Sequence, residues 1–139
     1  MIIIITDIDG TLAQSSWRDN LKGNWEEYHA ASKDDKINAP MVALLNELSD
    51  FCRIVCITTR PERWRKLTNQ WLFRYRVKIP ELIMRPNDDF RPSPVLKVAL
   101  AEAYHLVKIN QPVIAFDDRA DVCAAYRTLG FFTVQMPGG

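Results

Sequence analysis

Several things are scarce in these 139 residues. No apolar run approaches the roughly 18 residues needed to cross a bilayer. The formal net charge is only +1, so bulk charge singles out no class of partner. The opening "MIIII" has no basic region ahead of it and meets acids at once, so no signal peptide is expected there. There are three cysteines, Cys52, Cys56 and Cys123, an odd number set among apolar residues. That usage predicts buried reduced thiols rather than a disulfide framework, and hence a cytoplasmic location. The two histidines, His29 and His105, fit no catalytic pattern and read as surface or partly buried residues. No repeat, low-complexity tract or linker divides the chain, so residues 1–139 are expected to form one domain. No G-x-x-x-x-G-K-[ST] loop is present, which excludes a P-loop kinase. Nothing in the sequence calls for a membrane or an obligate protein partner.

What is present is a regular alternation. Residues 2–6, "RIVCI" (53–57) and "PVIAF" (112–116) are short, β-branched and apolar without alternation, as in strands buried on both faces. "ELIM" (81–84) and "FFTVQ" (131–135) are weaker strands. Helical patterns start at Pro40, Pro61, Pro94 and Ala120. Three of the four open with Pro at the first helical position, and the last ends at Gly130. In the helix from Pro61, Trp64, Leu67 and Trp71 fall on one stripe, which reads as core. Strand and helix in alternation predict an α/β fold: a three-layer, Rossmann-like parallel sheet with helices on both faces. Residues 13–39 fit this pattern poorly and are expected to form a small cap insertion over the site.

In such sheets ligands bind beyond the carboxyl ends of the strands. Asp7, Thr58 with Thr59, and Asp117 with Asp118 each follow a strand there. Asp7 and Asp9 stand one residue apart in "TDIDGTL", and a turn at Gly10 can aim both at one ligand. Carboxylates gathered with backbone carbonyls suit Mg²⁺, and Asp117 completes that set. An ionised Asp7 can attack phosphorus, while Asp9 protonates the leaving oxygen and later activates water. Thr58 offers a hydroxyl. Lys97, near the start of a helix expected from Ser93-Pro94, offers an ammonium to the phosphate. Plainer readings stand beside these. For Asp7 and Asp9 the plain role is a turn residue or cap, for Thr58 a strand end, and for Lys97 an exposed helix lysine. One of Asp117 and Asp118 serves as a helix cap, and Asp121 as a first-turn acid.

Taken together, "DIDGTL", "IVCITTR", Lys97 and "VIAFDD" resemble, in order, the four motifs of the haloacid dehalogenase superfamily of phosphatases. The resemblance implies a Mg²⁺-dependent phosphatase with Asp7 as nucleophile and Asp9 as general acid and base. It places the metal on Asp7, the Asp9 backbone carbonyl and Asp117, with Asp118 close by. "MRPNDDFRPSPVLK" and "FDDRADVCAAYRTLGF" further resemble the 3′-phosphatase domain of bacteriophage-type polynucleotide kinase-phosphatase. That likeness implies substrate-side roles for Arg60, Arg85 and Asp89. Thr59 stands where a Gly is common in the second motif. The expected substrate is a phosphorylated nucleic acid end, DNA or RNA. The alternatives are a small nucleotidase acting on free nucleoside monophosphates, and a non-catalytic nucleic-acid-binding module on the same fold. Arg60 to Lys78 holds seven basic residues and one acid, Glu62, with four interleaved aromatics, a composition that can steer an anionic substrate.

Overall fold

The computed structural model describes residues 1–139. Strand β1 (Ile3–Thr6) leads into a small unit. That unit runs from β2 (Ala13–Gln14) through a 3-10 turn (Ser16–Leu21), α1 (Trp25–Ala31) and a second 3-10 turn (Ser32–Asp34) to β3 (Lys36–Ile37). Then follow α2 (Ala39–Leu48), β4 (Arg53–Pro61), α3 (Arg65–Arg74) and β5 (Glu81–Arg85). The chain ends with α4 (Ser93–Ala103), β6 (Val113–Asp117), α5 (Ala120–Thr128) and β7 (Phe132–Gln135).

Five strands form one parallel sheet in the order β5-β4-β1-β6-β7, so the expected α/β architecture is the observed one. The absence of alternation in β1 has a direct cause. Ile3 and Ile5 pack into one core with α4 and α5, beside Leu96, Leu100 and Val122. Ile4 packs into the other with α2 and α3, beside Val42, Leu45 and Trp71. The chain builds β4 and β5 on one side of β1, then returns to build β6 and β7 on the other. The crevice at that reversal lies over the carboxyl ends of β1, β4 and β6. The pair β2–β3 is antiparallel and closes the base of the inserted unit.

One helix start differs from expectation. Pro61 ends β4, and α3 begins at Arg65 after a 3-10 turn over Glu62–Trp64. The pairing of β4 with β5 shifts between Thr58 and Pro61, and the Arg60 amide donates to Thr58 Oγ1 at 3.2 Å. This irregularity carries the strand past Ile57 and keeps Thr58, Thr59 and Arg60 extended at the sheet edge. The buried stripe of α3 is therefore Thr68, Trp71 and Leu72. Trp71 is core, and its indole N–H donates to the Asp35 carbonyl at 3.0 Å. Trp64, expected in the same stripe, sits in the preceding turn and is only half-buried. All three cysteines are unpaired, and Cys56 and Cys123 are buried. No helix is long and apolar enough to cross a membrane.

In α1, His29 is 8% exposed and packed among aromatic rings. The ring centroids of Tyr28, Trp64 and Trp25 lie at 5.2, 6.0 and 6.1 Å from it. Burial pulls its pKa down to about 4, and Nδ1 has no hydrogen-bond partner. The unfolded imidazole takes up a proton near pH 6.5, whereas the folded one resists until about 4. Folding stability therefore falls as pH drops through that interval. Thermal melts from pH 7 to 4 should show His29→Phe losing less stability than the unmodified protein, by roughly 1–3 kcal/mol. Equal losses would show that His29 does not contribute.

Candidate active site

The site begins where β1 leaves the sheet. The Asp7 amide still donates to the Phe116 carbonyl, at 3.1 Å. Beyond it the chain turns: the amides of Thr11, Leu12 and Ala13 all reach the Ile8 carbonyl, at 3.1, 2.9 and 2.9 Å. Gly10 takes φ +79°, and a Cβ there would lie 2.1 Å from Asp118 Oδ2. Glycine is thus required twice, by the backbone conformation and by the close approach of β6's following loop.

Two charged groups flank this turn. In the first, Asp7, Asp117 and Asp118 each bring a carboxylate oxygen within 4.8 Å of the others. Lys97 Nζ donates to Asp7 Oδ1 at 3.0 Å and to Asp117 Oδ2 at 2.6 Å. Lys97 is the fifth residue of α4 and is 2% exposed, so it is no surface lysine. Burial works against its charge, yet Asp7 and Asp117 hold the ammonium well above its usual pKa. Burial pushes the Asp7 carboxyl well up; Lys97 opposes this, while Asp117, Asp9 and Asp118 add to it. Three carboxylates against one ammonium leave a surplus of negative charge. An all-oxygen donor set with that surplus fits a hard divalent cation such as Mg²⁺. Asp117 has both oxygens engaged, the second by the Arg119 amide at 3.0 Å. Asp118 faces the cavity. Asp121 pairs with Arg119 and accepts from the Val122 amide, as a first-turn residue does.

In the second group the Asp9 carboxylate lies between two arginines. Arg60 donates to Oδ2 through Nε at 3.1 Å and to Oδ1 through Nη2 at 2.7 Å. Arg18 Nη2 also donates to Oδ1. Arg18 is fully buried and makes a two-point pair with Asp35, Nε to Oδ1 at 2.9 Å and Nη2 to Oδ2 at 2.8 Å. Its guanidinium also lies 4.3 Å over the Tyr28 ring. Burial alone would raise the Asp9 pKa, but Arg60 and Arg18 together hold it far below the usual carboxylate range.

Arg18 and Asp35 were not singled out from the sequence. Both belong to the inserted unit, Arg18 in a 3-10 turn that has no helical periodicity. One signal was available: Arg18 is the sole arginine in the first 52 residues.

Above both groups lies a cavity of about 800 Å³ lined by Asp7, Asp9, Lys97, Asp118 and Arg85 among others. Thr58 is buried beneath its wall, and Thr59 lines it instead. Arg60 reaches the site through Asp9 rather than through the cavity surface. Arg85 spends its donors on carbonyls: Thr59 at 2.9 Å, Asp89 at 2.9 Å and Arg91 at 2.8 Å, which braces the loop before α4. Asp89 does not line the cavity. Its carboxylate is held by Arg91, with Nη2 at 2.6 Å.

Comparison with known proteins gives a consistent outcome. Among curated protein sequences there is no match. Two solved structures of the Pnkp1/Rnl/Hen1 RNA repair complex superpose with TM-scores of 0.79 and 0.81, at 24% and 23% identity. Each match covers 96% of this chain and 45% or 42% of the other, so the chain spans less than half of those proteins. An HAD family enzyme from Bacteroides thetaiotaomicron, in complex with magnesium and inorganic phosphate, has the same fold at 11% identity and a TM-score of 0.63, over 97% of this chain and 93% of its own. The family model described as the polynucleotide kinase PNKP phosphatase domain matches residues 2–139. The chain therefore belongs to the PNKP phosphatase-domain family, of the haloacid dehalogenase type.

Proposed function

We propose that the protein is a Mg²⁺-dependent phosphomonoester hydrolase that removes 3′-phosphates from polynucleotide ends through an aspartyl-phosphate at Asp7. The observation that carries this reading is the buried Asp7 carboxylate, held by Lys97 beside Asp117 and Asp118 at the floor of an open cavity. Asp7, Asp117, Asp118 and the Asp9 backbone carbonyl would hold Mg²⁺. The bound cation would neutralise charge on the phosphoryl oxygens and keep Asp7 ionised.

Asp7 attacks phosphorus, and the phosphoryl group is steadied by Lys97, which lines the cavity. Asp9 begins ionised and fully partnered. The negative charge of the entering phosphate raises its proton affinity, so that it takes a proton from solvent and passes it to the leaving oxygen. Ionised again, Asp9 takes the proton of the water that attacks the aspartyl-phosphate in the second step and returns it to solvent. Arg18, anchored by Asp35, keeps Asp9 aimed throughout and acts as a positioning residue.

The substrate assignment rests on the cavity. Its volume of about 800 Å³ exceeds what a phosphate alone needs. Its wall carries Lys22, Arg63, Arg85 and Arg119, and its mouth carries Trp25 and Phe90, which are 51% and 86% exposed. Cations with exposed aromatic faces suit a nucleotide, and the small inserted unit leaves the mouth open to a polymer end. The intact set of acids, lysine and arginines speaks against a binding module without catalysis. The similar Pnkp1 structures are of a multiprotein complex, so the expectation that this chain needs no protein partner has no support.

Asp7→Asn should abolish phosphate release, and a chelator should do the same reversibly with Mg²⁺; full activity in either case overturns the mechanism. Arg18→Gln should lower kcat by about tenfold or more while changing KM little, because it disturbs Asp9 rather than substrate binding. Phosphate release from a 3′-phosphorylated oligonucleotide should exceed release from free nucleoside monophosphates. Preference for the free nucleotides would make the protein a nucleotidase.

A further inference from the structure

The basic, aromatic run from Arg60 to Lys78 is used only in part by the site. Its first residue, Arg60, holds Asp9, and Trp71 fills the core. The outward face of α3 has no such task. Lys66, Gln70 and Phe73 recur at helical spacing on one exposed stripe. Phe73 is 86% exposed, a whole phenyl ring with nothing against it. These residues line a shallow groove together with Glu62, Arg63 and Arg65. Glu62 is neutralised by a two-point pair with Arg65, at 2.8 and 2.7 Å. Lys66 is in no ion pair. The groove thus carries three cations against one acid.

Arg63 lines both this groove and the catalytic cavity, so the two border one side chain. Its contact with Glu26, at 2.9 Å between exposed groups, is a surface pair that a phosphate can displace. From Lys66 to Phe73 the helix advances about 10 Å, the length of two to three stacked nucleotides at about 3.4 Å each.

Resting on the polynucleotide reading above, we propose that the α3 groove carries the single strand behind the phosphorylated 3′ end. Phe73 stacks on a nucleobase, and Arg63 and Lys66 meet the strand's internal phosphates. The net positive charge favours a polyanion over a protein partner, which an apolar patch alone would not decide.

The test is steady-state kinetics of the full chain with Mg²⁺ on 3′-phosphorylated substrates of one, two, four and ten nucleotides. In the unmodified protein KM should fall as length grows from one to about four nucleotides and then level. Phe73→Ala should raise KM for the ten-mer about fivefold or more, with kcat and the one-nucleotide KM unchanged. Lys66→Gln should reduce the slope of log KM against log salt by about 0.7 for the ten-mer. Both residues are exposed and outside the catalytic machinery, and melting curves should confirm that the variants fold. If the unmodified protein favours oligonucleotides but both variants match it, the groove proposal falls and the polynucleotide reading stands. A groove that serves a protein instead gives that same result. An equal rise of KM at every length in Phe73→Ala also overturns the proposal. If the unmodified protein favours free nucleotides, the polynucleotide reading fails and the groove proposal with it.

Discussion

The buried ammonium of Lys97 is the contact on which the site depends. It ties α4 to the carboxyl ends of β1 and β6 through Asp7 and Asp117. A lysine taken out of water this far is costly unless its partners stay ionised and close. Those partners are themselves buried, so each group holds the other in place. Removing either side leaves an uncompensated charge in the interior, a loss of about 3–5 kcal/mol. The catalytic floor is thus also a structural joint of the fold. Its negative surplus fits a hard divalent cation.

The inserted unit completes the site from the other side. It is closed by only two residues from each of β2 and β3, yet it delivers Arg18 and Asp35 to the Asp9 carboxylate. Arg18, Arg60, Asp9 and Asp35 form a set balanced in charge, two positive and two negative. Balance explains how four charged groups sit together with so little water. Trp17 and Trp71 fasten the same set by donating to Asp35 at 2.8 and 3.0 Å.

Much of this was legible in the sequence for physical reasons. β1 could be read because both of its faces are covered, which forces an unbroken apolar run. Asp7, Lys97 and Asp117 could be read because a parallel sheet sends its functional groups to one edge, and each follows a recognisable strand or opens a helix. The path of the chain after Ile57 could not. The bulge that prolongs β4 is set by pairing with β5, which no local pattern encodes, and it displaced Trp64 from the core stripe. Arg18 and Asp35 were hidden for a related reason. They act through long-range pairing across the inserted unit, and a 3-10 turn leaves no period to detect. Asp89 was placed by resemblance on the substrate side, but a neighbouring arginine two residues away captures its carboxylate.

The anchoring of the inserted unit has a kinetic side. A lid that must swing open and shut makes turnover wait on its motion. Here the unit is pinned to the Asp9 carboxylate by a charge-assisted hydrogen bond from the buried Arg18, so swinging it away would dismantle Asp9's surroundings. The mouth is instead held at a fixed aperture. On the function proposed above, selection then happens at entry into a permanent opening, and turnover does not wait on a lid.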